Sequence, residues 1–176
     1  MTLLGLVGRK RSGKDTFAQY LVRHAGFARV AFADELKREI AEIMGITVEE
    51  LEQHKDRYRG MFQDYGTRKR QEDSTYWIAK VAAHIDWLSD TYGVSRVVVA
   101  DVRLPNEASW VRARGGGVVR LIRADGLHAD DPHESEAGQD RIRVDDSWTC
   151  GTSEGVEMVA EGLAQRMGWM TGRPRG

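Results

Sequence analysis

The chain has 176 residues, 41% of them hydrophobic and 30% charged, with a formal net charge of −1. That is enough for one compact domain with a core, and no global excess of positive charge draws it to nucleic acid, so any anion site must be local. The single cysteine, Cys150, leaves no intrachain disulfide; no apolar run reaches the roughly 18 residues of a membrane span, and charges follow the first apolar residues too soon for a secretory leader. The expected location is cytoplasmic, with neither a membrane nor a nucleic acid as partner.

The predicted elements alternate between strand and helix. LLGLV, Leu3 to Val7, is a short apolar run with the length of a buried strand. A glycine-containing turn follows, then a helix in which Phe17, Leu21 and His24 share a face and Gly26 is the stop. ARVAF is a second strand. ADELKREIAEIMG is a helix with Leu36, Ile40 and Ile43/Met44 on one side, and Thr47 and Glu50 have the spacing of a capping box that opens another. Residues 55–73 read as polar and irregular. STYWIAKVAAHIDWLSDTYG keeps Trp77, Val81, Ile85 and Leu88 on one helical stripe. RVVVAD is a β-branched strand suited to cover on both faces. PNEASWVRARG is a helix with Pro105 in its first turn, and GVVRLIR is a further strand. Residues 124–140 form a polar, acidic loop, RIRVDD is a weak strand, TSEGVEMVAEGLAQRMG is the last helix, and residues 171–176 are a tail. The pattern predicts a single α/β domain over residues 1–170, a parallel sheet with helices on both faces. Ligands are then expected at the carboxyl ends of the strands, after Val7, Phe32, Ala100 and Arg123.

The first of these loops carries the most specific signal. In GRKRSGKDT, Gly8 and Gly13 stand five apart and Lys14 follows, between an apolar strand and an amphipathic helix. That spacing turns backbone N–H groups inward around a phosphate at a helix N-terminus, with the lysine reaching the outer phosphates. Lys10, Arg11 and Ser12 sit in the same loop. The blander reading is a glycine-rich turn with solvated lysines. Asp15, where such loops carry Ser or Thr, places a carboxylate beside the phosphates. Two unit charges ~4 Å apart interact by about 1 kcal/mol in water and several times more when partly buried. A Mg²⁺ ion held by Asp15, directly or through water, removes the conflict, with Thr16 on a phosphate or the metal. The alternative for Asp15 is a favourable place at the positive end of the helix.

With these residues in view, the chain resembles phage-type deoxynucleoside monophosphate kinases of the P-loop kinase superfamily, which share the GKD variant with phosphomevalonate kinases. The likeness runs over residues 3–152 in five ordered blocks: GRKRSGKDT; Phe32-Ala33-Asp34-Glu35-Leu36-Lys37; Gln63, Gly66, Thr67, Arg70 and Trp77; Asp101-Val102-Arg103 with Asn106-Glu107; and His133, Ser135 and Glu136. The resemblance implies a three-layer fold with a monophosphate-binding region at 33–78 and a lid at 124–140. It implies transfer of the ATP γ-phosphate, with Mg²⁺, to a deoxynucleoside 5′-monophosphate, in the host cytoplasm for a phage-encoded chain. The oligomeric state stays open between monomer and homodimer. Glu35 departs from the family's proline, and Trp148-Thr149-Cys150-Gly151-Thr152 from its Asn-x-Gly turn, although Gly151 still admits a base by close approach.

Read block by block, Asp34 and Lys37 share a helical face, either to hold a monophosphate or as a solvated ion pair. Arg70 is the expected bidentate phosphate ligand, with Tyr65 or Phe62 stacking on the base and Gln63 on its edge. Trp77 fits core or base equally. Asp101 ends a strand, where a carboxylate orients metal-bound water or the acceptor, and Arg103 points to the same side; the alternative is a structural salt bridge. Asn106 and Glu107 brace that loop or reach the substrate. Arg123, with Arg141, is the arginine expected to stabilise the transferred phosphoryl, and His133 and Ser135 to order the lid.

Overall fold

A computed structural model describes residues 1–124 and 139–170. Five strands, β1 (Thr2–Val7), β2 (Ala28–Val30), β3 (Arg96–Val99), β4 (Gly117–Arg123) and β5 (Asp146–Cys150), form one sheet in the order β2-β3-β1-β4-β5. Every pairing is parallel, so the carboxyl ends all open on one edge. The helices are α1 (Lys14–Ala25), α2 (Phe32–Met44), α3 (Val48–Gln53), α4 (Lys55–Glu72), α5 (Tyr76–Tyr92), α6 (Pro105–Ala113) and α7 (Ser153–Arg166).

Alternation along the strands feeds two separate cores. Leu4 and Leu6 of β1, Val98 of β3 and Leu121 of β4 face α1 and α7, where Phe17, Leu21 and Ala160 close the layer. Leu3 and Val7, Val97 and Val99, and Val118 face the other way, against Trp77, Val81 and Ile85 of α5 and Val111 of α6. Val97, Val98 and Val99 are all fully buried. Each such side chain contributes roughly 1.5–3 kcal/mol relative to exposure, which is why this run forms a central strand. A third, smaller cluster joins Ile40 of α2 and Leu51 of α3 to Tyr58, Phe62 and Tyr65 of α4.

The described residues carry no helix long and apolar enough to cross a membrane. The Thr47–Glu50 capping box forms in both directions, and Gly26 ends α1 with φ 68°.

Four expectations are corrected. Residues 55–72 are not irregular but an 18-residue helix, α4, in which only Gly66 is fully buried. Its Lys, Arg, Gln and Glu are good helix formers, but its inward face is only the short aromatic stripe Tyr58–Phe62–Tyr65, easily lost among the charges around it. The last strand is DSWTC, not RIRVDD: β5 pairs with β4 from Val119↔Asp146 to Arg123↔Cys150, and Ile142 is buried before the strand begins. On α1 the buried face is Phe17, Ala18, Leu21 and Ala25, and His24 is exposed. On α2, Ile43 is 64% exposed, so the stripe stops at Ile40 and Ala41.

Candidate active site

The loop between β1 and α1 is shaped by three residues in left-handed or similar backbone. Gly13 has φ 94° and Arg11 φ 66°. A Cβ on Gly13 would lie 2.6 Å from Val156 Cγ2, and one on Gly8 2.5 Å from the carbonyl oxygen of Leu121. Both glycines are therefore required by φ and by close approach to α7 and β4. Lys14 folds back over the loop, donating to the carbonyls of Arg9 (2.8 Å) and Gly8. The Ser12 hydroxyl is buried with no hydrogen-bond partner inside the loop. A buried hydroxyl without a partner, at a glycine-bounded turn before a helix N-terminus, can serve an anion's oxygen.

Two cavities meet this loop, and a third opens from one of them. One, on the β4–β5 side, is lined by Arg11, Ser12, Gly13, Arg123, Gly151 and Thr152. Arg123 lies here at the end of β4, donating to the carbonyl of Arg11 at 3.2 Å, and Thr152 caps α7 by accepting from Gly155 N. A second, wider cleft holds Lys10, Arg11, Lys14, Arg29, Lys37, Arg59 and Arg103 together with Asp15, Asp34 and Asp101. A third cavity continues inward from it, sharing Ala33, Gln63, Asp101 and Arg103. Its walls are Phe32, Leu36, Phe62 and Trp77, and its polar groups include Gln63, Arg70 and Glu107.

Asp101 shows how the inner site is held. Its two oxygens accept from Phe32 N at 2.7 Å and Ala33 N at 2.9 Å. It thus caps α2, whose own N-cap, Ala31, offers no side chain. Burial raises its pKa, while the two N–H groups and Arg103 pull it back and nearby Asp34 adds to the rise. Glu107 behaves alike. It is 3% exposed and accepts from Arg103 N (2.8 Å) and Leu104 N (3.1 Å). Burial, helped by the charge of Asp101, pushes it up to about 7 against the pull of those N–H groups and of Arg70. The expected bracing role of Asn106 is also present: its amide donates to Ser74 O at 2.8 Å, tying α6 to the start of α5.

Several placements differ from expectation. Arg70 lines the inner cavity beside Trp77 and Glu107, while Arg103 spans the inner cavity and the cationic cleft. Tyr65 does not face the cavity with Phe62; its hydroxyl donates to Glu39 at 2.6 Å. Trp77 is a core residue, 3% exposed and donating Nε1 to Gly66 O at 3.2 Å, and it also forms part of the cavity wall. Lys37 is in an ion pair with Glu52, with Asp34 3.9 Å away. Glu35, in place of the family's proline, contacts His84 Nδ1 at 2.7 Å and Arg38, linking α2 to α5. Thr16 is half-buried in the first turn of α1. His133 and Ser135 lie outside the described residues.

Sequence reasoning passed over two residues. Arg29, on the edge strand β2, reaches Asp34 at 2.6 Å and Asp15 at 3.8 Å. Burial opposes its charge, but the carboxylates of Asp34 and Asp15 outweigh it and raise its pKa. It therefore answers part of the Asp15 puzzle: a cation already stands beside this carboxylate, whose side chain is 90% exposed. Nothing in ARVAF distinguished Arg29 from a solvent-facing strand residue. Phe32, the second, is named in the second motif block but without a role of its own; instead of ending a strand it opens α2 and walls the inner cavity.

Among the described residues there is no group of three or more His, Cys, Asp or Glu side chains able to hold a metal alone. The donor set here fits Mg²⁺ only in the way common at nucleotide sites, with one carboxylate and the remaining ligands from phosphate and water. Asp15 meets that requirement, being exposed at the loop; Asp101, with an N–H on each oxygen, is suited to a water-mediated contact.

Comparison with known proteins agrees with this arrangement. The family model described as phosphomevalonate kinase matches residues 6–116. A protein of Acanthamoeba polyphaga mimivirus named "Putative deoxynucleotide monophosphate kinase" is 32% identical over 157 residues, covering 77% of this chain and 81% of that one. In fold, a sugar kinase from Janibacter sp. HTCC2649 superposes with a TM-score of 0.55 at 16% identity, over 96% of this chain and 94% of that one. A dephospho-CoA kinase from Campylobacter jejuni superposes with 0.52 at 13% identity, over 95% and 98%. The glycine-bounded phosphate loop, the parallel sheet that presents it and these matches lead to one conclusion: the chain belongs to the P-loop kinase family that includes phosphomevalonate kinases and the mimiviral relative.

Proposed function

We propose that this kinase transfers the γ-phosphate of ATP to a deoxynucleoside 5′-monophosphate, for nucleotide supply to DNA synthesis. The observation that carries the reading is the inner cavity. Phe32, Phe62 and Trp77 wall it, and Gln63, Arg70 and Glu107 offer both donors and acceptors. Flat aromatic walls with mixed polar groups at the edge suit a planar base, which stacks on rings and is read by hydrogen bonds. A small aliphatic acceptor uses neither. The mimiviral relative supports the same choice.

In this reading the backbone N–H groups of residues 8–14 and Lys14 take the β and γ phosphates of ATP, and Gly151 marks the adenine side. Arg11 and Arg123 meet the transferred group at the cavity they share. The acceptor base enters the inner cavity, with Arg70 and Gln63 at its edge. Its phosphate then lies in the cationic cleft, where Arg103 stands at the junction and Lys37 and Arg59 line the wall. Arg70 moves from phosphate ligand to base contact relative to the sequence reading, and Arg103 takes the phosphate. An acceptor oxygen attacks the γ phosphorus in line as the bond to the β–γ bridging oxygen breaks, releasing ADP. The acceptor phosphate is already an anion, so no protein base is required and the work is positioning and charge neutralisation. Mg²⁺, when bound, neutralises the β and γ oxygens; Asp15, with Thr16, would hold it.

The family model's description supports a second acceptor, phosphomevalonate. An ADP-release assay with the four deoxynucleoside monophosphates, their ribonucleotides, phosphomevalonate and dephospho-coenzyme A separates the readings. Stimulation by at least one deoxynucleotide and by neither of the last two is expected. Turnover of phosphomevalonate alone overturns the proposal. Binding of single-stranded DNA with a steep salt dependence and no acceptor-stimulated turnover replaces it with a nucleic-acid switch.

A further inference from the structure

Glu39 of α2 lies behind the wall of the inner cavity and gathers two hydrogen bonds and an ion pair from two other helices. Its Oε1 accepts from Tyr65 of α4 at 2.6 Å and from Tyr76 of α5 at 2.7 Å. Its Oε2 stands 3.0 Å from Lys80 of α5, and the side chain is only 12% exposed. Each tyrosine is next to a residue of the wall's framework: Tyr65 precedes Gly66, whose carbonyl accepts from Trp77, and Tyr76 precedes Trp77 itself. Lys69 of α4 lies over both rings, 5.7 Å from Tyr65 and 4.9 Å from Tyr76.

We propose that Glu39 is a positioning residue for the acceptor. It has no place in the cavity lining, yet it sets the distance between α4, which carries Gln63 and Arg70, and α5, which carries Trp77. The need for such a clamp follows from α4 itself. That helix packs only the partly buried Tyr58–Phe62–Tyr65 face, is polar elsewhere and buries only Gly66 completely, so its apolar contact is thin and leaves its rotation loosely defined. Charge-assisted hydrogen bonds from a single carboxylate to two rigid phenols supply a directional lock instead. The hydroxyls are held as donors: Tyr65 is pushed up to about 12 by burial and then the Glu39 carboxylate, and Tyr76 to about 12 by its hydrogen bond to Glu39 and then burial. Glu39's partners Tyr65, Tyr76 and Lys80 all belong to α4 and α5, the helices that wall the inner cavity, so the clamp acts on the acceptor side. This inference rests on the assignment of the inner cavity to the acceptor.

The test is steady-state kinetics of Glu39→Gln and of the double variant Tyr65→Phe/Tyr76→Phe, each against ATP and against the best deoxynucleotide. Loosening a supporting shell by a fraction of an ångström gives an acceptor KM about tenfold higher, with the ATP KM changed less than about twofold. Hydrogen exchange should quicken in α4 and not in α1. The double variant keeps both rings and the Glu39–Lys80 pair, so it answers the question if Glu39→Gln folds poorly. An unchanged acceptor KM in a folded variant, or equal rises in both KM values, overturns the clamp and leaves the acceptor assignment intact. A wild-type protein that no deoxynucleotide stimulates removes the acceptor assignment, and the clamp with it.

Discussion

The two halves of the site are built in opposite ways. The donor half is a continuous loop, residues 8–16, whose chemistry resides in the backbone: Gly8 and Gly13 where no Cβ fits, Arg11 at φ 66°, and a lysine folded over its own carbonyls. The half we assign to the acceptor is assembled from side chains on α2, α4, α5 and the β3–α6 loop. It is held by bonds between residues far apart in sequence, such as Asp101 to Phe32 and Glu39 to Tyr76. Backbone sites tolerate little variation in shape because phosphate is always the same. Side-chain sites can be retuned without disturbing the fold, which is where acceptor choice in this family can diverge.

Mutations separate the halves. The largest effect is expected for Lys14→Ala, a loss of about 10²–10⁴-fold in kcat, as for removal of a preorganised charge contact, with the acceptor KM little changed. Near-normal turnover would break the donor assignment. Next is the pH dependence of the acceptor half. Glu107 in the folded protein is raised from its usual 4.5 to about 7. Its contribution to stability is therefore full below about pH 4.5 and lost as pH rises through about 7. Glu107→Gln keeps an acceptor oxygen for the two N–H groups and removes the charge. It should gain on wild type by on the order of 3 kcal/mol between those limits, in urea titrations at several pH values. A constant difference across pH refutes the buried, charge-averse site.

Asp101→Ala should cost about 1–3 kcal/mol of stability by leaving Phe32 N and Ala33 N unpaired, and should weaken acceptor binding before ATP binding. Equal damage to both would deny that Asp101 organises the acceptor side. The smallest effect belongs to Asp15→Ser: intact folding and ATP binding, with the Mg²⁺ midpoint for activity moved severalfold, on the order of 1 kcal/mol for an exposed carboxylate. Overlaying Mg²⁺ titrations would assign Asp15 to the helix end and to Arg29 instead.

By itself the sequence determined the donor half and most of the fold. GxxxxGK between an apolar strand and an amphipathic helix is a local pattern, and the β-branched RVVV run and the Trp77–Val81–Ile85 stripe report burial through short-range periodicity. The capping box at Thr47 is equally local. Tertiary structure decided the rest, because the deciding forces act across the chain. Residues 55–72 become a helix by packing the partly buried Tyr58, Phe62 and Tyr65 against α2 and α3, a contact too short to stand out among their charged neighbours. DSWTC, and not RIRVDD, is the last strand because its backbone finds β4. Arg29 matters because Asp15 and Asp34 come to it, and Glu39 because two tyrosines from different helices converge on one carboxylate oxygen. Charge and hydrogen bonding depend on distance in space, which periodicity along the chain does not encode.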